Sequence, residues 1–210
     1  MATPSDTPYI VVPSLNHLKD VIKAKGYKIY GGDSKPYHLN IGGIRNVSLN
    51  SNTFDDAIYV FFDDENGVSK YYVTRATTDP GRYWLTNPMC VDGTRILALG
   101  QYTGCFKLGM HRGEYEALVQ CGNMKFHVDN DRDDNAEPTA KIQTGIIGCN
   151  LHRANPNPLT PSTNVDKWSA ACQVVAGATP FNNIIAWVKE SLKYRDNLFS
   201  YTLLHVTDFK

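Results

Sequence analysis

The chain has 210 residues, enough for one sizeable hydrophobic core with a small appendage. Its 21 Lys and Arg balance its 21 Asp and Glu, so the formal net charge is zero, which argues against nucleic acid and anionic membrane surfaces as partners. No stretch approaches the roughly 20 apolar residues of a bilayer span, and Met1–Pro8 lacks the charged start and apolar run of a secretory signal, so the expectation is synthesis in the cytoplasm with any export supplied by another agent.

Taken in chain order, the first element is a short helix. Ser14 precedes Leu15, Leu18, Val21 and Ile22, and Gly26 lies just beyond, which together make an N-cap, an apolar stripe and a terminating glycine. Residues 57–62 and 68–73 are strand-like and flank Asp63–Gly67, a hairpin loop built around Asn66-Gly67. Further strands are predicted at Arg95–Leu99, Tyr115–Gln120, Met124–Val128, Gly145–His152 and Cys172–Val175. Thr78-Asp79-Pro80-Gly81 and Val91-Asp92-Gly93-Thr94 punctuate them. Phe181, Ile184, Ile185, Val188 and Leu192 recur at helical spacing, and a last strand runs through Phe199, Tyr201 and Leu203 to Val206. The pattern predicts a mostly-β, α+β protein with a helix near each end. Residues 1–30 read as an N-terminal helical segment and residues 31–210 as the main domain.

Five cysteines, at 90, 105, 121, 149 and 172, form no C-x-x-C pair, so scattered reduced thiols are expected rather than a zinc site. Asp129, Asp131 and Asp133 alternate in the manner of a calcium loop, but the glycine and glutamate of an EF-hand are missing. A solvated acidic turn is the preferred reading, with calcium the alternative. His111 and His127 are weighed as cleft-lining residues, with ordinary strand or loop histidines the preferred reading. No metal or cofactor is expected, and the oligomeric state is not encoded in any recognisable pattern.

The stretch that carries chemistry is Gly145–Arg153 followed by Val165–Val175. A strand delivers His152, a proline-marked loop follows, and Ser169-Ala170-Ala171-Cys172 enters another apolar strand. A cysteine attacks a carbonyl as its thiolate, and a nearby imidazole lowers the thiol pKa or takes its proton. Small residues before the cysteine let the backbone approach a substrate. The amides of Ala171 and Cys172 then suit a developing oxyanion, a contact worth roughly 3–4 kcal/mol when preorganised. Ser169 is placed to hydrogen-bond within this turn and shape it.

His152, a spacer over residues 153–168, Ser169, two small residues and then Cys172 resemble the signature of the L,D-transpeptidases, in which the histidine also precedes the cysteine. Weaker similarity reaches upstream through the Asn66-Gly67 hairpin, Thr77–Gly81, Asn87-Pro88 and Gly93-Thr94, so that the resemblance covers about residues 55–176. The His-Arg pair and the Trp-Ser-Ala-small-Cys-Gln turn are similar to phage- and prophage-encoded wall enzymes. The resemblance implies a β-sandwich-like catalytic fold and a thioester-forming nucleophile, Cys172, with His152 and Ser169. It implies peptidoglycan stem peptides as substrate and action at the bacterial wall, virion-associated or at lysis, with hydrolysis favoured over cross-linking. Ala171 stands where the family has glycine. Val174 stands where it has the arginine or asparagine that helps to hold the peptide carboxylate. Arg153, Trp168 and Gln173 are therefore the candidate substrate-binding residues. Two other readings compete: a non-catalytic phage structural or wall-binding module, and a thiol peptidase using Cys105 with His152.

Overall fold

A computed structural model describes residues 10–48 and 51–210. In chain order its elements are α1 (Leu15–Ala24), β1 (Asn40–Arg45), β2 (Asp56–Asp63), β3 (Ser69–Thr77), α2 (Arg82–Thr86), β4 (Thr94–Leu97), β5 (Gly100–His111) and β6 (Tyr115–Gln120). They continue with β7 (Met124–Asp129), β8 (Ile142–Gly145), β9 (Leu151–Arg153), β10 (Gln173–Val175), α3 (Ala178–Ser191), β11 (Phe199–His205) and a final 3-10 turn (Val206–Phe209).

Eight strands close a barrel in the order β1-β11-β5-β6-β9-β10-β3-β2, and β4, β7 and β8 form a separate three-stranded sheet. The mostly-β, α+β class stands, but the sandwich-like layering expected from the sequence is replaced by this closed barrel. Parallel pairing of β1 with β11 brings one end of the chain to the other, and a second parallel pair joins β9 to β10. Closure removes the open edges that a sheet of this size would otherwise expose.

Two elements without strand signals make closure possible. Strand β1 reads Asn-Ile-Gly-Gly-Ile-Arg, and a Cβ at Gly42 would lie 2.2 Å from both the Thr202 carbonyl oxygen and the Tyr59 hydroxyl. Only glycine permits that approach. Strand β5, twelve residues long, is interrupted by Gly104 (φ +58) and Gly109.

The barrel interior is filled by Ile41, Ile58, Val60, Tyr102, Leu118, Leu151, Val175 and Tyr201, and Phe181, Ile184 and Val188 of α3 pack into the same core. On the other side of β2, Ala57, Tyr59 and Phe61 meet Leu18, Val21 and Ile22 of α1. Covered on both faces, β2 reads as a continuous apolar run rather than an alternating one. The Ser14 side chain accepts the His17 amide at 3.3 Å, and Gly26 (φ +71) follows the last turn, as the sequence pattern requires. Thus α1 shares a hydrophobic cluster with the barrel, while residues 1–9 of the expected N-terminal segment lie outside the described residues. Among the described residues no helix is long and apolar enough to cross a membrane.

Near Thr78 and Asp79, buried polar groups cluster, although Asp79 Oδ1 accepts no hydrogen bond among the described residues. Arg45 Nε lies 2.8 Å from Asp79 and 3.0 Å from the Thr78 hydroxyl, and its Nη2 donates to the Thr78 carbonyl at 2.7 Å. Asp56 accepts the Thr78 amide and hydroxyl, each at 2.7 Å. This cluster fixes the Thr77–Gly81 loop, and Gly81 N–H in turn donates to the Ser169 carbonyl at 2.8 Å. The cysteine turn therefore rests on a rigid support.

Candidate active site around Cys172

Strands β9 and β10 run side by side, with Gln173 opposite Leu151 and Val174 opposite His152. Side chains alternate across a strand. Leu151 and Val175 point into the barrel core. His152 and Val174 therefore face outward, as does Cys172, which packs against the cluster of Phe54, Ala154, Val165 and Val174. Cys172 precedes β10 by one residue, and its Sγ receives the Asn150 amide at 3.4 Å and lies 3.5 Å from the Gly148 carbonyl. His152 and Cys172 thus share one outer face, two positions apart on adjacent strands. Among the described residues no hydrogen bond joins an imidazole to the sulfur.

Ser169 is fully buried, and its hydroxyl donates to the Cys172 carbonyl at 2.8 Å, tying the turn together. The amides of Ala171 and Cys172 donate to no group among the described residues. The half-buried Cys172, together with Trp84, His111, Arg112, Ile147 and Asn150, lines a cavity of about 400 Å³.

Two histidines stack at the cavity, His111 on its wall and His152 behind it. The His111 ring stacks on His152 with centroids 4.1 Å apart, and His111 Nδ1 lies 3.1 Å from Asn150 Nδ2. An amide NH2 only donates, so this nitrogen of His111 is the acceptor and the other carries the proton. His152 Nδ1 lies 2.8 Å from the Arg153 carbonyl, which leaves Nδ1 protonated and Nε2 with its lone pair. The Tyr115 hydroxyl, 3.2 Å from both groups, closes this network. Burial, then the adjacent His111, pulls the His152 pKa down to about 3. Burial and Arg112 lower that of His111. Burial raises the Cys172 thiol, opposed by the Asn150 amide and by Arg112. The resting site therefore holds a neutral thiol and neutral imidazoles.

No family model, curated protein or solved structure matches the chain.

Several residues singled out by the sequence lie elsewhere. Gln173 is fully buried inside the barrel, where it accepts the Tyr201 hydroxyl at 2.8 Å and reaches the Ala171 carbonyl at 3.3 Å, so strand alternation turns it away from any ligand. Trp168 is exposed but does not line the Cys172 cavity, whereas Trp84 does. The Arg153 guanidinium lies 4.1 Å from the centre of the Tyr115 ring and also stands outside the cavity. His152 itself is 3 % exposed and sits behind His111 rather than on the cavity wall. Cys105 is completely buried in the barrel core, and burial raises its thiol pKa far beyond reach, which removes the Cys105–His152 arrangement. His127 holds the Thr139 carbonyl at 2.6 Å and lies off the Cys172 cavity.

The calcium alternative gains no support from the placement of its carboxylates. Asp131 and Asp133 accept backbone amides two residues on, at 3.1 and 2.6 Å, while Asp129 accepts the Glu137 amide at 3.1 Å. Among the described residues no group of three His, Cys, Asp or Glu side chains could hold a metal ion.

His111, for which the ordinary-histidine reading was preferred, lines the cavity, and sequence reasoning gave no role to Arg112, Asn150 or Tyr115. His111-Arg112-Gly113 opens the β5–β6 hairpin, and the hairpin turn, with Arg112 at φ +52 and Gly113 at φ +74, was the available signal.

Proposed function

We propose that the chain is a cysteine acyl-transfer enzyme of the L,D-transpeptidase type, acting on peptidoglycan stem peptides with water as the favoured acceptor. One observation carries this reading: on one cavity wall a half-buried thiol adjoins two backbone amides that have no other partner among the described residues. An oxyanion needs such donors aimed in advance, because the charge that they stabilise exists only in the transition state.

The reaction starts from neutral groups. The transfer requires His152, which sits behind His111 in the resting structure, to reach the sulfur. As the Cys172 sulfur then bonds to the carbonyl carbon, its proton passes to Nε2 of His152, and the carbonyl π pair moves to oxygen beside the Ala171 and Cys172 amides. Collapse re-forms the C=O bond and breaks the C–N bond, while His152 returns the proton to the departing amine. Water then attacks the thioester, losing a proton to His152. The C–S bond breaks, the acid leaves and the thiol regains its proton. Asn150, held by both Cys172 and His111, positions the two strands for this exchange. In a phage-encoded wall enzyme the same chemistry serves at the bacterial wall, during entry or lysis.

The reading of a non-catalytic wall-binding module draws on the absence of an imidazole–sulfur hydrogen bond among the described residues. Mass spectrometry of muropeptides incubated with the purified protein separates the two. Cleaved or cross-linked stems, lost in Cys172→Ala and retained in Cys105→Ala, support the enzyme. Binding of sacculi without any change in the stems leaves the module. We expect Cys172→Ala to lower turnover by at least about a thousandfold, because no other nucleophile replaces the sulfur.

A further inference from the structure

Arg112 has no place in the catalytic sequence above, yet its surroundings are specific. It lines the Cys172 cavity. Among the described residues its side chain has neither a hydrogen-bond acceptor nor a carboxylate partner. The other arginine of the cavity is fully engaged: Arg95 donates to Gln143 and the Gly93 carbonyl and lies 3.7 Å from Asp92. Among the described residues no Asp or Glu lines the cavity. The cavity lining therefore includes one guanidinium without a carboxylate partner among the described residues, together with the Cys172 thiol and apolar side chains such as Trp84 and Ile147.

The backbone adds an independent argument. Arg112 occupies the first central position of the hairpin turn at φ +52, where glycine, asparagine or aspartate is preferred and a long side chain costs about 1 kcal/mol. A Cβ at the neighbouring Gly113 would meet open space, so crowding from the rest of the protein does not impose this turn. Arg112 is exposed, so its guanidinium is solvated rather than held by the protein, and on the wall of a cavity that has no acidic group among the described residues it is free to meet an anionic ligand.

We infer that Arg112 is the anion-recognition residue of this cavity and selects ligands that present a carboxylate beside the Cys172 sulfur. Under the acyl-transfer reading, on which this last step rests, the preferred donor carries a free carboxylate close to the scissile carbonyl, and amidated donors are poor. Guanidinium and carboxylate pair through two parallel hydrogen bonds, which fixes orientation as well as charge.

The test needs no peptidase activity. Iodoacetate and iodoacetamide alkylate a thiolate by the same displacement, an S–C bond forming as C–I breaks and iodide leaves, and they differ only in charge. Rates at Cys172 are followed by peptide mass spectrometry and normalised to 2-mercaptoethanol. We expect Cys172 to favour iodoacetate, and the ratio to fall about three- to tenfold in Arg112→Gln, the size of one partly screened charge pair. Arg112→Gly should lose the same preference while raising the melting temperature, an outcome that a merely structural arginine would not give. Arg132→Gln, another left-handed arginine (φ +65) outside the cavity, should leave the ratio unchanged. A ratio equal to that of 2-mercaptoethanol, or one governed by Arg153→Gln instead, overturns the assignment to Arg112 and leaves the nucleophile intact. A Cys172 inert to both reagents overturns the nucleophile as well.

Discussion

Cys172 and His152, the proposed nucleophile and base, stand in an unusual electrostatic state. Burial disfavours the charged form of both groups, raising the thiol and lowering the imidazole to about 3, so an ion pair is not the resting form. The alkylation rate of Cys172 should therefore keep climbing as pH rises past the ordinary thiol value of 9.0, with no inflection near the ordinary imidazole value of 6.5. A plateau reached below neutrality in a stopped-time alkylation series would show a thiolate–imidazolium pair and refute this picture. The sulfur, the histidine and the serine of the turn were all legible as residue types in a recognisable order. His111 was not, because it reaches the site from a hairpin 39 positions upstream of Asn150. Nor could spacing reveal that Gln173, next to Cys172, points inward, because the face that each residue of a strand presents depends on register.

At the level of elements, the legible parts were those with uninterrupted periodicity. The α1 stripe, the β2–β3 hairpin, β6, β7, α3 and β11 carry enough consecutive apolar positions for their period to show. Strands β1 and β5 did not announce themselves, since glycines occupy the places where two backbones pass too closely for a side chain. The stretch expected as a strand from Gly145 to His152 divides, β8 ending at Gly145 and β9 beginning at Leu151, and the irregular piece between them lines the cavity. If closure depends on that close approach, Gly42→Ala should cost at least about 3 kcal/mol in a urea titration, because the new methyl meets a backbone oxygen that cannot retreat. Gly145→Ala, whose Cβ would enter open space, serves as the near-neutral comparison. Equal midpoints for the two variants would show that the barrel yields at β1.

For the whole molecule, the buried Arg45–Asp56–Asp79 cluster links the barrel to the loop that supports the cysteine turn. Burial outweighs Arg45 and pushes the Asp79 pKa up to about 7 from 3.8. Between those values the folded protein holds a proton that the unfolded chain has released, so the Asp79 contribution to stability is greatest below the lower value and is lost as pH rises through about 7. His38, His111 and His152, with lowered values, act oppositely, stability rising toward 6.5. The Asp79 effect is therefore read as a difference. From about pH 5 to 8, Asp79→Asn should gain on the unaltered protein by roughly 2–4 kcal/mol in urea unfolding, because each tenfold difference in proton affinity between the folded and unfolded chain is worth about 1.4 kcal/mol. Parallel curves would mean that Arg45 keeps the carboxylate ionised in the fold.

By itself the sequence determined composition class, the helices at each end, most of the strands and the ordered pair His152 and Cys172, because local periodicity and residue chemistry are written along the chain. Barrel closure, the inward turn of Gln173 and the arrival of His111 and Arg112 on the wall of the Cys172 cavity were decided only in the tertiary structure. They depend on which strands pair and in what register, and those choices are made by contacts between residues far apart in the chain.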